Sequence, residues 1–192
     1  MITTRTAKQC GQADYGWLQA RYTFSFGHYF DPTLLGYASL RVLNQEVLAP
    51  GASFQPRTYP KVDILNLILD GEAEYRDSDG NHVQAKAGEA LLLAAQPGIS
   101  YSEHNLSKVK PLTRMQLWLD ACPERENALV QKIPLSTRNN SFLPRPTVSK
   151  TAYNCANRSG YIILRWRKAN RLTSSFTGRA PICSRFTVRS TR

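Results

Sequence analysis

Two short clusters in this 192-residue chain hold the side chains best suited to chemistry. The first runs from Gly51 across five residues to Arg57 and Tyr59, and the second sets Gly98 ahead of Tyr101, Glu103 and Asn105. Together they offer a guanidinium, two phenols and a carboxylate. A guanidinium has only donors and stays protonated in proteins, so Arg57 has no lone pair to give a cation. Tyr59 and Tyr101 would bind a metal as phenolates, which near neutral pH means deprotonating groups with a pKa of about 10 beside a positive arginine. His104 follows Glu103 directly, and adjacent side chains on a strand face opposite ways, so it points outward if Glu103 points inward.

The surrounding sequence predicts strands. An apolar run at 62–69 is followed by Asp70-Gly71, a second turn by Asp77-Ser78-Asp79-Gly80-Asn81, and another apolar run at 90–95 by Gln96-Pro97-Gly98. Short β-rich runs broken about every ten residues by such signals indicate an all-β antiparallel sandwich or barrel. Run 62–69 reads as a strand covered on both faces or as one end of a barrel interior. Segments 72–76 and 82–85 form a hairpin about the Asp77 turn, with His82 a solvated residue beside it. A strand at 37–43 gives way to a loop at 44–50, and 115–120 alternates cleanly, closing the barrel. Tyr22, Phe24, Phe26 and Phe30 fall on even positions, as one core-packing face of a strand would require up to Gly27, and Tyr15 and Trp17 anchor the N-terminal segment.

The two clusters have the spacing of cupin motifs, and the chain resembles the pirin family within that superfamily. The likeness is carried by Phe24-Ser25-Phe26-Gly27-His28-Tyr29-Phe30-Asp31-Pro32, by Leu40-Arg41-Val42-Leu43-Asn44 with Ala49-Pro50-Gly51, by Asp77-Ser78-x-Gly80-Asn81 and by Ala87-Gly88-Glu89. It runs from about residue 4 to about 126. It implies a jelly-roll-like β-barrel with a second barrel after it, and iron held by two histidines of the first motif and a histidine and a glutamate of the second. The corresponding positions here are Arg57, Tyr59, Tyr101 and Glu103, so one ligand of four survives. A ferrous oxygenase centre needs about two imidazoles and a carboxylate with open positions. The resemblance therefore leads to a barrel with no metal and no cofactor. Arg57 either takes the place of the cation and pairs with Glu103, with the two tyrosines completing a ligand pocket, or is a surface charge at a strand end.

Charge divides the chain. Residues 1–126 contain all 14 acidic residues and 12 of the 25 Lys and Arg, a net of 12 − 14 = −2, whereas 127–192 contain the other 13 and no acid, a net of +13. The two parts read as an intact first barrel, 1–126, and a basic, poorly ordered tail, 127–192, where a second barrel is truncated or replaced. One run in the tail, 161–168, has the composition of a strand. Three origins are open for the tail: a basic nucleic-acid arm, a divergent small domain, or translation after a reading-frame change. The four cysteines, Cys10, Cys122, Cys155 and Cys183, form no C-x-x-C, and the sequence shows neither an apolar h-region after Met1 nor an 18-residue apolar stretch. The expected compartment is the cytoplasm, away from membranes. Cys10 is the one redox candidate.

The expected function is a non-catalytic binding, regulatory or redox-sensing role, with a small organic molecule as ligand. The pirin resemblance supplies one rival, an iron-dependent quercetin 2,3-dioxygenase. Residues 127–192 supply another, a DNA-associated regulator or a non-specific nucleic-acid binder.

Overall fold

The computed structural model describes residues 6–121, 129–136, 145–146, 161–165 and 187–191. A 3-10 turn, Ala7–Gln9, leads into β1 (Gly11–Asp14), β2 (Leu18–Tyr22), β3 (Leu40–Leu48), β4 (Ser53–Thr58), β5 (Val62–Asp70), β6 (Glu72–Asp77), β7 (His82–Lys86), β8 (Glu89–Ala95), β9 (Ser100–Asn105) and β10 (Leu112–Asp120). After these come β11 (Leu129–Ser136), β12 (Arg145–Pro146), β13 (Tyr161–Arg165) and β14 (Thr187–Thr191). One sheet has the order β1-β2-β3-β10-β5-β8-β11-β12, a smaller one β4-β9-β6-β7, and β13 pairs with β14 alone. All the pairings are antiparallel.

The two larger sheets face one another. Strand parity decides what lies between them, because alternate side chains leave a strand on opposite faces. Leu48, Ile64, Ile68, Leu91, Leu93 and Leu112 of the larger sheet pack against Phe54, Ala73, Tyr75, Ala85 and Tyr101 of the smaller. The other face of the larger sheet, Leu43, Leu65, Leu67, Leu92, Met115, Leu117, Leu119 and Ile133, forms a second buried cluster, which Leu40 joins beyond the register shift at the start of β3. β5 is thus covered on both faces, which accounts for its nearly unbroken apolar sequence. The β6–β7 hairpin turns where the Asp77 carboxylate accepts hydrogen bonds from the Asp79 and Asn81 N–H groups at 3.0 and 2.8 Å.

Four expectations need correction. The aromatic series from Tyr22 does not lie on one strand: β2 ends at Tyr22, Phe26 and Tyr29 make an isolated bridge, and Phe30 is 72% exposed. Residues 44–48 are strand, not loop, because Asn44, Gln45 and Glu46 are buried and laddered to both β2 and β10. β10 closes nothing; it lies in the larger sheet between β3 and β5. The sheet also continues past residue 126, since β11 pairs with β8 from Leu129↔Ala94 to Pro134↔Glu89. The strand expected at 161–168 is Tyr161–Arg165; elsewhere in the tail the structure describes β11, β12 and β14, and the expected disorder of the remainder lies outside the described residues. No helix among those residues is long and apolar enough to cross a membrane.

Candidate functional site

The four singled-out side chains lie on β4 and β9 or immediately beyond them. Both cluster-opening glycines turn the chain with positive φ, +68° at Gly51 and +94° at Gly98, a conformation that disfavours residues bearing a Cβ. Between β4 and β9, Phe54 stands opposite Glu103 and Arg57 opposite Tyr101, three steps along β4 against two along β9. The extra residue is a β-bulge at Gln55-Pro56, where proline has no N–H to contribute to a ladder. Without it Arg57 and Phe54 would face opposite ways; with it both lie on the side of Tyr101 and Glu103.

The bulge brings Arg57 to Tyr59 and not to Glu103. Arg57 is exposed; its Nε donates to the Tyr59 hydroxyl at 2.7 Å and its guanidinium lies 4.8 Å from the centre of the Phe54 ring. Tyr59 stacks on Tyr101 with centroids 4.2 Å apart and planes at 10°, and meets Trp118 edge-on at 5.4 Å. Tyr75 packs against the far side of the group, 5.1 Å from Tyr101. The Tyr101 hydroxyl is buried without a partner of good hydrogen-bond geometry, the neighbouring Tyr59 oxygen notwithstanding. Burial first, and then the adjacent Tyr59 phenol, push its pKa well above the usual phenol value, against the pull of Arg114 and Arg57.

Glu103 belongs to a different group. Its partner is Arg114 on β10, whose side chain is 1% exposed. Arg114 Nη1 donates to Glu103 Oε2, and its Nε donates to Glu46 Oε2 at 2.9 Å. Its Nη2 stands 2.8 Å from that same Glu46 oxygen without hydrogen-bond geometry. Asn66 Nδ2 also donates to Glu103 Oε2 at 3.0 Å; Gln116 Nε2 then donates to Asn66 Oδ1 at 3.1 Å, and Trp118 Nε1 to Gln116 Oε1 at 2.9 Å. The expected Arg57–Glu103 pair is therefore replaced by Arg114–Glu103, because Arg57 reaches across Phe54 to a phenol while Arg114 comes from the opposite sheet.

Glu46, Asn66, Arg114 and Gln116 were not among the sequence candidates, although a signal was available. Each is a polar residue at the inward parity of a strand that also sends apolar side chains inward, Leu48 on β3, Ile64 and Ile68 on β5 and Leu112 on β10. Asn105, the asparagine of the second cluster, is a structural clamp. Its Nδ2 donates to the carbonyls of Ala49 at 3.0 Å and Lys110 at 2.9 Å, and its Oδ1 accepts from the Ser107 N–H at 3.0 Å.

His104 and His82 have partners of their own. His104 Nε2 is 2.9 Å from the Ser102 hydroxyl. His82 is not simply solvated: its Nε2 is 2.5 Å from the buried carboxylate of Glu74, which also contacts Arg76 at 2.5 Å and accepts from Gln84 at 3.1 Å. Burial would raise the Glu74 pKa, but the bonds from His82, Gln84 and Arg76 outweigh it and bring it down to about 2. Cys10 is half-buried beside the 3-10 turn, with its sulfur 3.5 Å from the Thr6 carbonyl oxygen. Among the described residues no three His, Cys, Asp or Glu side chains converge as a metal site would require.

Comparison with known proteins gives consistent matches. Residues 3–119 match the family model described as Pirin. The chain is 83% identical over 146 residues to the pirin-like protein YhaK of Escherichia coli K12, covering 76% of this chain and 63% of that protein. It is 40% identical over 119 residues to a quercetin 2,3-dioxygenase of the same strain, covering 62% and 52%. Among solved structures, the bacterial pirin YhhW of Escherichia coli in complex with nickel(II) superposes with a TM-score of 0.68 at 33% identity, over 74% of this chain and 62% of that one. The chain thus spans between about half and two thirds of the length of these relatives.

Proposed function

The chain belongs to the pirin family, and on that premise we propose that its first barrel is a binding or regulatory module which holds no catalytic metal. The observation that carries this reading is the Arg114–Glu103 ion pair. Of the four positions at which the family resemblance implies iron ligands, only Glu103 keeps a ligand side chain; its Oε2 is engaged by both Arg114 and Asn66, and its Oε1 alone is buried without a hydrogen-bond partner. Arg57 has no lone pair to offer, and the buried Tyr101 resists conversion to a phenolate. This donor set does not fit a ferrous centre, which wants imidazoles and a carboxylate around open positions.

A small organic ligand at the Arg57 end of the barrel is the partner this reading favours, with no redox step assigned to Cys10. A second reading, an iron-dependent dioxygenase, draws on the 40% identity to a protein named quercetin 2,3-dioxygenase. Metal analysis of the purified full chain after incubation with ferrous salt, followed by a quercetin oxidation assay, separates the two. Sub-stoichiometric iron and no turnover are expected; one iron per chain with flavonol turnover would establish the enzyme. The net charge of +13 over 127–192 keeps a non-specific nucleic-acid partner in view. Its signature would be DNA affinity that falls steeply with salt and shows no sequence preference.

A further inference from the structure

We infer that Arg57 is the anchor of an anion site that takes a small aromatic monocarboxylate, an inference that rests on the metal-free reading above. Exposed arginines are ordinarily mobile, and fixing one in place costs side-chain entropy. Arg57 is fixed by three contacts: Nε donates to the Tyr59 hydroxyl at 2.7 Å, and the guanidinium lies 4.8 Å from the Phe54 ring centre and 5.4 Å from that of Tyr59. Its two anchors are themselves immobilised. Tyr59 is held between Tyr101 and Trp118, and Phe54 packs edge-on against Trp17 at 5.1 Å.

These contacts use the inner nitrogen, Nε, and set the guanidinium carbon over two rings. The outer edge, Nη1 and Nη2, has no partner among the described residues, and the side chain is exposed. A planar two-nitrogen edge presented to solvent from a pre-ordered side chain matches the two oxygens of a carboxylate. Because the ordering is already in place in the free protein, a ligand does not have to supply it.

Charge and neighbouring surface narrow the class. Arg114 with Glu46 and Glu103 forms a buried group of formal charge 1 − 2 = −1 on the other contact of Phe54, since the Arg114 guanidinium is 4.9 Å from that ring. A dianion such as phosphate is disfavoured there more than a monoanion. Trp17, which shares Phe54 with Arg57, is left 40% exposed, an apolar surface on which a ligand ring can lie.

The test is a calorimetric titration of the full chain at low salt with benzoate, acetate and inorganic phosphate, on protein whose iron content has been measured. Saturable benzoate binding is expected, tighter than acetate or phosphate, and weaker by at least about tenfold in R57Q. R57K, which keeps the charge without the fork, should fall between, and W17A should weaken benzoate but not acetate. Benzoate binding that is absent, unsaturable or unchanged in R57Q overturns the site. Phosphate binding as tightly as benzoate overturns the assigned ligand class. If metal-free protein fails to bind benzoate, the anion site alone is wrong; stoichiometric iron marks the failure of the metal-free reading, whatever the titration shows.

Discussion

Arg114 on β10 and Glu103 on β9 meet across the barrel interior as an ion pair with side-chain exposures of 1% and 5%. Each comes from a different sheet, so the contact ties the two halves of the barrel at its polar centre. Glu46 completes the group from β3. Glu103 Oε1 and Arg114 Nη2 are buried without a well-directed hydrogen bond, so the group is held by its charge pairing, and removing one member strands the others in a medium that solvates them poorly.

Replacing Arg114 by methionine leaves Glu46 and Glu103 buried without their cation. A loss of about 3–5 kcal/mol in unfolding free energy is expected for R114M, read as the shift in urea midpoint at constant slope. Adding E46Q and E103Q removes the stranded charges and should recover part of that loss. A midpoint for R114M within experimental error of the unsubstituted chain would show that the ion pair does not hold the barrel centre.

Tyr101 provides a contrast a few ångströms of strand away. Its ring is stacked on Tyr59, but its hydroxyl lacks a well-directed partner. The Y101F substitution keeps the stack and removes a poorly satisfied polar atom, so stability should stay within about 1 kcal/mol of the original or rise. A larger loss, measured by the same denaturation, would mean that the hydroxyl is bonded in solution.

How much of this could be read in advance depends on whether the controlling interaction is local. Turns were legible: Asp70-Gly71, Asp77 to Asn81 and Gln96-Pro97-Gly98 are specified by adjacent residues, with positive φ at Gly71, Gly80 and Gly98. Long apolar strands such as β5 were legible as well. The run from Asn44 to Glu46 misled because its polarity is local while its burial depends on β10, 68 residues further along at Arg114. The orientation of Arg57 was equally hidden, since one bulge residue at Gln55-Pro56 decides which face it takes. Alternation alone cannot reveal an inserted residue.

Asn105 illustrates a motif residue whose work is architectural. Its amide ties the end of β9 to the segment between β3 and β4 and to the 105–110 turn, through the Ala49, Lys110 and Ser107 backbone bonds. Alanine there leaves backbone groups unpaired, and N105A is expected to cost about 1–3 kcal/mol. N105D keeps the acceptor for the Ser107 N–H but faces the Ala49 and Lys110 carbonyls with a carboxylate, so it should be no better than alanine. Amide hydrogen exchange at Ser107 separates the two: protection should be lost in N105A and partly kept in N105D. Unaltered exchange at Ser107 in N105A would remove the clamp assignment.

Glu74 contributes to how the barrel responds to acid. Its carboxyl is bonded by His82, Gln84 and Arg76, and its folded-state pKa lies near about 2 against an ordinary 4.5. A group whose pKa is lower folded than unfolded stabilises the fold above its unfolded value, and that contribution disappears as pH falls towards the folded value. Glu74 therefore supports the fold fully at neutral pH, and its share is lost between about pH 4.5 and 2. In E74Q this titration is absent, so a plot of urea midpoint against pH should start lower at pH 7 and descend less steeply through that window. Parallel curves for the two proteins between pH 5 and pH 2 would show that the carboxylate is not held by its three partners.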